Sequence, residues 1–359
     1  MDAVKSVDVL VVGLGPGGAS AARTAAEAGL SVLAVERNKV LGEPVQCAEF
    51  IPTPMGGYAK AEKVLLQRIT GMKSILPSGQ VHESEFPGLM INRAEFDRAI
   101  ARDAERLGAE LWIRAPRVAL DAEGHTAKVR REEAEVKVRY KGLIAADGPH
   151  SPVAVQLGLE PLEVVQTRQY TVPLLRPYAD TDLWLSDEYP GGYAWLFPKG
   201  DLANLGLGAD RRWEDNLKEP LELLHRQLID AGLLGEEILY RTGGAIPVGG
   251  LREQLVVGDV LFVGDAAGLT HPITGAGIAA GVVSGELAGK AAAACLEGDE
   301  AAFEDYEEDV RDQFETAVSR AVARRRDLAR HWRTDAANED DTQRKGWIAF
   351  NEYFESAAV

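Results

Sequence analysis

Cysteine is scarce in this 359-residue chain: the two present, Cys47 and Cys295, lie far apart in unlike contexts. Neither a disulfide framework nor a cysteine zinc site can be built from them, which fits a reducing compartment. Basic residues are also under-represented, with 39 Lys+Arg against 56 Asp+Glu and a net charge of −17. That charge repels phosphate backbones and anionic lipid, disfavouring nucleic acid and a polybasic membrane anchor, and it leaves room only for a local basic patch. No long hydrophobic run is present: Gly275 to Cys295 is rich in Gly and Ala, and Glu286 and Lys290 interrupt it, so it makes a poor transmembrane span. The N-terminus enters an apolar run without the basic flank and cleavage site of a signal peptide, which predicts a cytoplasmic protein. No fixed-period repeat is visible. A hydrophobic content of 46% with 26% charged residues excludes wholesale disorder and fibrous repeats.

At roughly 150 residues per domain the length predicts about two domains. Residues 7–12 (VDVLVV) form a short β-branched run, GLGPGG follows, an Ala-rich helix runs from Ala19 to Gly29, and a second strand, Leu30 to Val35, ends at Glu36. This βαβ opening predicts a doubly wound sheet with a ligand at the carboxyl end of its first strand. Between Leu41 and about Met90 the pattern is irregular, and it reads as loops and short strands. A helix is expected from about Arg93 to Leu107. LWIRA, VALDAEG, AKVRREE and EVKVRYKGLIAAD then alternate like an antiparallel meander returning to the main sheet. Residues 160–250 are strand-rich, with two strands joined at Lys199-Gly200-Asp201 and one helix over about Leu217 to Ala231. VVGDVLFVG then returns to the first domain. The expected architecture is α/β: a Rossmann-like cofactor domain (1–160, with 41–90 partly on the substrate side, completed by 255–300), an inserted strand-rich substrate domain (161–254), and a helical C-terminal tail (301–359).

Gly13, Gly15 and Gly18 make GxGxxG between a strand and a helix. Gly13 serves the tight turn, Gly15 lets backbone approach a pyrophosphate, and Gly18 permits close helix–strand packing. The helix N-terminus offers unpaired N–H groups and positive potential, and Glu36 can accept from a ribose diol. That motif alone does not separate NAD from FAD. GDAAG at Gly264 to Gly268 does: Asp265 can bind ribityl hydroxyls, and the helix opened by Gly275-Ala276-Gly277 can stabilise negative charge on a reduced flavin.

At this point the sequence resembles the geranylgeranyl reductase family of FAD-dependent oxidoreductases, within the p-hydroxybenzoate hydroxylase-like flavoprotein group. The resemblance is carried by GLGPGG with VER (Val35 to Arg37), PVQC (Pro44 to Cys47), INRAEFD (Ile91 to Asp97), AADGPHSPVA (Ala145 to Ala154), YAWLFPKG (Tyr193 to Gly200) and GDAAGLTHPITGAGI (Gly264 to Ile278). It implies FAD contacts at Gly13, Gly15, Gly17, Gly18, Glu36, Arg37, Cys47, Ala48, Arg93, Val118, Asp147, Gly148, Gly264, Asp265, Gly275, Gly277 and Ile278. It also implies a catalytic region at Cys47, Tyr193 and Trp195.

Cys47 lies in the loop expected to pass over the isoalloxazine ring, where it is a packing residue, a proton donor or a redox partner. Tyr193, Trp195 and Phe197 alternate and share one strand face, either as core or, by the resemblance, as an apolar wall of the substrate cavity. His271 stands before Pro272 in the flavin loop, as a proton donor or an ordinary loop residue. Arg320, Arg324, Arg325, Arg326, Arg330 and Arg333 form a basic cluster, either a solvated or ion-paired helix face or a dock for an acidic partner protein.

A flavin-dependent oxidoreductase is the reading that follows, with FAD reduced by transient NAD(P)H or another donor. The resemblance implies hydride transfer to a carbon–carbon double bond of a polyprenyl or other hydrophobic substrate, either a small molecule or a protein-bound one. The stretch after the flavin helix is short for a lipid-enclosing region of that family. A second reading is therefore carried: a flavoprotein delivering electrons to a partner protein or a cofactor-assembly pathway such as lipoate formation. Flavin monooxygenase chemistry stands third.

Overall fold

The structure of the protein, a computed structural model, describes residues 4–131 and 134–355. Seven α-helices occur among them: α1 Pro16–Glu27, α2 Arg93–Arg106, α3 Pro152–Gln156, α4 Lys218–Asp230, α5 Ile278–Glu297, α6 Ala302–Ala329 and α7 Asp340–Lys345. Strand Val9–Val12 is buried at all four positions, as a parallel strand covered on both faces must be. It sits at the middle of a six-stranded sheet, between Gly142–Ala145 and Val32–Val35. Glu110–Trp112 lies beyond Val32–Val35, and Val260–Phe262 with Val256–Val257 lies beyond Gly142–Ala145. Strands from late in the chain thus join the sheet opened by Val9–Val12.

Helices α1 and α5 touch backbone to backbone beside this sheet. A Cβ on Gly285 would stand 2.1 Å from the Gly17 carbonyl oxygen, and one on Gly289 would stand 2.8 Å from that of Ala21. This contact explains the Gly/Ala richness of the stretch. By length and composition α5 could cross a membrane, yet its small residues face α1 and its Glu286 pairs with Arg23 of that helix.

Two expectations change. LWIRA does not begin the meander: Glu110–Trp112 follows α2 directly, and this crossover lays it parallel to Val32–Val35. The antiparallel meander is Arg117–Asp121, Thr126–Arg131 and Ala134–Arg139, with Lys5–Ser6 added at its edge; Glu132 and Glu133 lie outside the described residues. Residues 41–90, read as loops and short strands, instead hold two 11-residue strands, Leu65–Ile75 and Val81–Ile91, paired as a hairpin. Register shifts at Leu65/Gln67 and Ile69/Gly71 break the alternation that would have revealed them.

That hairpin and Phe50–Pro52 join Thr181–Trp184, Ala194–Lys199, Leu202–Ala209 and Val164–Pro173 in a nine-stranded sheet, so two separate chain segments build this second sheet. One face packs on α4 through Leu221 and Leu224. The other carries Trp195, Phe197, Met72, Met90 and Leu183, and the C-terminal residues Trp347 and Phe350 close over it.

Candidate cofactor and substrate site

Gly13 has φ +99°, and a Cβ there would lie 2.3 Å from the Ala146 carbonyl oxygen. A Cβ on Gly18 would lie 1.9 Å from the Gly13 oxygen, so both positions require glycine for close approach. Gly15 differs: within 4 Å its Cβ would meet only the Arg93 guanidinium, at 3.9 Å, so this face of the turn looks into an open cradle. The N-caps of α1 and α5 are Gly15 and Gly277, and neither helix start has a side-chain cap. The first N–H groups of two long helices are thereby left for an anion or a carbonyl oxygen.

Two carboxylates flank the cradle. Glu36 is buried and accepts from the Leu14 N–H at 3.0 Å and the Asn38 N–H at 2.9 Å, and each oxygen keeps a lone pair for a diol. Asp265 accepts from the Thr270 hydroxyl at 2.6 Å, and burial raises its pKa against the pull of Arg93. Arg93 stands between the halves of the site. Its Nε donates to Asp97 at 2.8 Å and its guanidinium faces the Cys47 thiol. Burial works against its charge, but Asp97 and Cys47 more than offset this and its pKa is raised. The open face at Gly15, the two uncapped helix starts, the two carboxylates and the central arginine fit FAD, with groups for pyrophosphate, ribose and ribityl chain.

Burial likewise pushes the Cys47 thiol up, so it stays protonated at neutral pH. Cys295 lies in the last turns of α5, about 25 Å along the helix from Ile278 at ~1.5 Å per residue, which removes it from any dithiol relay there.

The loop carrying Cys47 is held by Glu49, Lys199, Asn204 and Gln169. Glu49, 3% exposed with φ +71°, accepts from the Arg93 backbone N–H at 3.0 Å, forms an ion pair with Lys199, and accepts from Asn204 Nδ2 at 2.8 Å. Asn204 also donates to the Ala48 carbonyl at 3.2 Å, and Gln169 donates to that of Cys47 at 3.0 Å. Lys199 therefore points inward from the end of its strand, in addition to leading into the turn. The only sequence hint was chemical: a Glu directly after PVQCA and a Lys ending an apolar strand both need partners.

The aromatic stripe faces this loop. Trp195 Nε1 donates to Gln169 Oε1 at 3.0 Å, and Tyr193 donates to the Thr274 carbonyl at 2.5 Å. Burial raises the Tyr193 phenol, so it stays neutral. Trp347 stacks edge-on against Tyr193 at 5.0 Å, and Phe197 stands 5.8 Å from Phe50. The result is an apolar wall from Phe50 to Trp347, spanning both chain segments of the sheet and the C-terminal segment.

Other expected residues sit as follows. Asp147 accepts from the Ser151 hydroxyl at 2.7 Å and the Val153 N–H at 2.9 Å, closing the turn into α3, and Gly148 follows at φ +87°. Val118 lies on the meander, its carbonyl accepting from Gln156 Nε2 at 3.1 Å. Arg37 is exposed just past Glu36, while Gly264, Gly275 and Ile278 frame the loop before α5. His271 Nδ1 accepts from the Thr274 N–H at 3.2 Å, its Nε2 is 3.4 Å from the Tyr353 hydroxyl, and burial pushes the imidazole down to about 4. At neutral pH His271 is uncharged and organises its loop.

Two members of the arginine cluster, Arg324 and Arg325, are turned inward. Arg324 donates to the carbonyls of Tyr353 and Glu352, Arg325 pairs with Asp210 at 3.0 Å, and Arg333 pairs with Glu214 at 3.0 Å. Arg320, Arg326, Arg330 and Arg333 remain exposed, with Arg320 against the Phe354 ring.

A family model described as FAD dependent oxidoreductase matches residues 8–137. The digeranylgeranylglycerophospholipid reductase of Thermoplasma volcanium is 34% identical over 87% of this chain and 85% of its own length. That of Methanocaldococcus jannaschii is 35% identical over 79% and 77%, respectively. A crystal structure of a geranylgeranyl bacteriochlorophyll reductase-like protein from Thermoplasma acidophilum superposes with a TM-score of 0.85 at 30% identity, covering 96% of this chain and 92% of that one. The flavin-dependent brominase Bmp2 shares the fold alone, with a TM-score of 0.71 at 20% identity over 91% of this chain and 88% of that one.

Proposed function

Since this chain belongs to the geranylgeranyl reductase family of FAD-dependent oxidoreductases, we propose that it reduces carbon–carbon double bonds in the prenyl chains of a glycerophospholipid. The electrons come from NAD(P)H or another donor. The observation that carries this reading is the apolar wall of Phe50, Tyr193, Trp195, Phe197 and Trp347 facing the two loops that carry Cys47 and Thr274. Bound FAD supplies hydride chemistry there. The chain's own residues then do the rest. The wall holds an unsaturated chain and excludes water. Arg93 places a permanent cation beside the cradle. Cys47 keeps a proton on its sulfur next to Arg93, available to the carbon neighbouring the one reduced. The electron-delivery reading needs an exposed arginine dock, and the burial of Arg324 and Arg325 weighs against it.

The test is anaerobic reduction of the yellow holoenzyme, mixing with a prenylated glycerophospholipid, and mass spectrometry of the product. A gain of two hydrogens per double bond is expected. Oxygenated product on mixing with O2 would move the assignment to a monooxygenase, and an unchanged lipid would sink the reductase reading. Trp195→Ala should slow lipid reduction far more than flavin reduction by the donor.

A further inference from the structure

Behind the nine-stranded sheet lies a concavity of about 600 Å³, lined by Lys60, Lys63, Arg68, Leu65, Leu89 and Gly56. Arg68 and Ile51 both pair across strands with Leu89, so these side chains share one sheet face. The opposite face of the same strands bears Ile69 and Met90, which belong to the apolar cluster of the wall. The concavity is thus one sheet thickness behind the substrate wall.

Three observations together say what this surface meets. None of the three cations has an ion-pair partner within 4.0 Å among the described residues. Leu65, in the same lining, is 40% exposed, and its chain neighbour Leu66 is 42% exposed, two large apolar side chains at the surface. From Thr53 to Arg68 the only acid is Glu62, a local excess of positive charge in a chain of net charge −17. At physiological salt, charges beyond about 8 Å are largely screened, so a surface in contact here responds to this patch rather than to the whole molecule. Cations rimmed by exposed leucines suit a layer with anionic headgroups outside and hydrocarbon beneath.

We propose that Lys60, Lys63 and Arg68, with Leu65 and Leu66, dock the enzyme on the surface of a bilayer containing anionic phospholipid. The proposal rests on the lipid-substrate reading, since a prenyl phospholipid has to be met where it resides.

The experiment sediments FAD-loaded protein with extruded vesicles of phosphatidylcholine, with or without 30% (about one-third) phosphatidylglycerol. Partitioning onto the anionic vesicles should be at least about tenfold stronger, and should be lost in high salt and in Lys60→Glu/Lys63→Glu/Arg68→Glu. Leu65→Ser/Leu66→Ser should weaken binding several-fold on anionic vesicles. All variants should keep the flavin spectrum, the melting temperature and the turnover of detergent-dispersed prenyl lipid. Equal partitioning on both vesicle types, or a triple variant that still binds, would overturn the patch; a dock for an acidic protein would give that same result. Vesicle binding without reduction of any prenyl lipid would overturn the substrate reading and leave the patch standing. Turnover in detergent without anionic binding would do the reverse.

Discussion

At the scale of single residues, the site depends on what can and cannot occupy a few positions. Gly15 is the position where an added methyl meets almost nothing of the protein, so its cost falls on the ligand. Gly15→Ala should fold normally and lose most of its FAD; the ratio of flavin to protein absorbance after purification measures this, and an unchanged ratio would remove the pyrophosphate from this turn. His271 gives a pH-dependent counterpart. Its folded value of about 4 lies below the free value of 6.5, so the unfolded chain binds the proton more readily. Stability should therefore fall as pH drops through that window, by up to about 3 kcal/mol at ~1.4 kcal/mol per pH unit. His271→Gln should flatten this acid slope, and denaturant midpoints between neutral pH and pH 4 would report it. Both residues stood out in the sequence, Gly15 because motif spacing specifies its environment. The charge state of His271 was hidden, because it depends on Tyr353 and on a loop folded back over it.

At the scale of elements, the decisive contacts join segments far apart in the chain. Glu49 links the Cys47 loop to the start of α2, through the Arg93 N–H, and to the strands ending at Lys199 and containing Asn204. Removing one member of a buried pair leaves the other charge uncompensated, at a cost of about 3–5 kcal/mol. Glu49→Ala should lose about that much in urea unfolding, and Glu49→Gln with Lys199→Met should recover most of it. The same loss should speed alkylation of Cys47, whose Sγ accepts from the Glu49 N–H at 3.2 Å. Alkylation at the wild-type rate in Glu49→Ala would leave the pair with a purely structural role. The sequence displayed GxGxxG, the acid after the second strand and the aromatic alternation, because each is local. Glu49, Gln169 and Asn204 were not legible, because their meaning comes from pairings more than a hundred residues apart. The long hairpin was obscured for a different reason, the register shifts that interrupt its period of two.

At the scale of the whole molecule, the six-stranded sheet is assembled from the beginning, middle and late parts of the chain, and the nine-stranded sheet from two separate segments. The C-terminal segment closes over the aromatic face of that sheet. Trp347 is 3% exposed, packs on Tyr193 and donates to the Ser74 hydroxyl at 3.0 Å. Trp347→Ala should cost about 3–5 kcal/mol and raise KM for prenyl lipid more than it lowers kcat; equal effects on both would take Trp347 out of the substrate wall. Helical character in this tail was readable from its charge pattern, but its return over the sheet was not, since no local period encodes a long-range landing site.

The two uncapped helix starts that frame the cradle carry a consequence for synthesis. Gly15 and Gly277 are 262 positions apart, which at about 5–20 residues per second separates their emergence from the ribosome by roughly 13–50 s. Throughout that interval the nascent chain displays half of a nucleotide site with its anion-attracting helix end and no partner helix. Capture of the vitamin-derived cofactor is accordingly a late event in biosynthesis, and a translation pause before α5 would lengthen the time the chain spends without it.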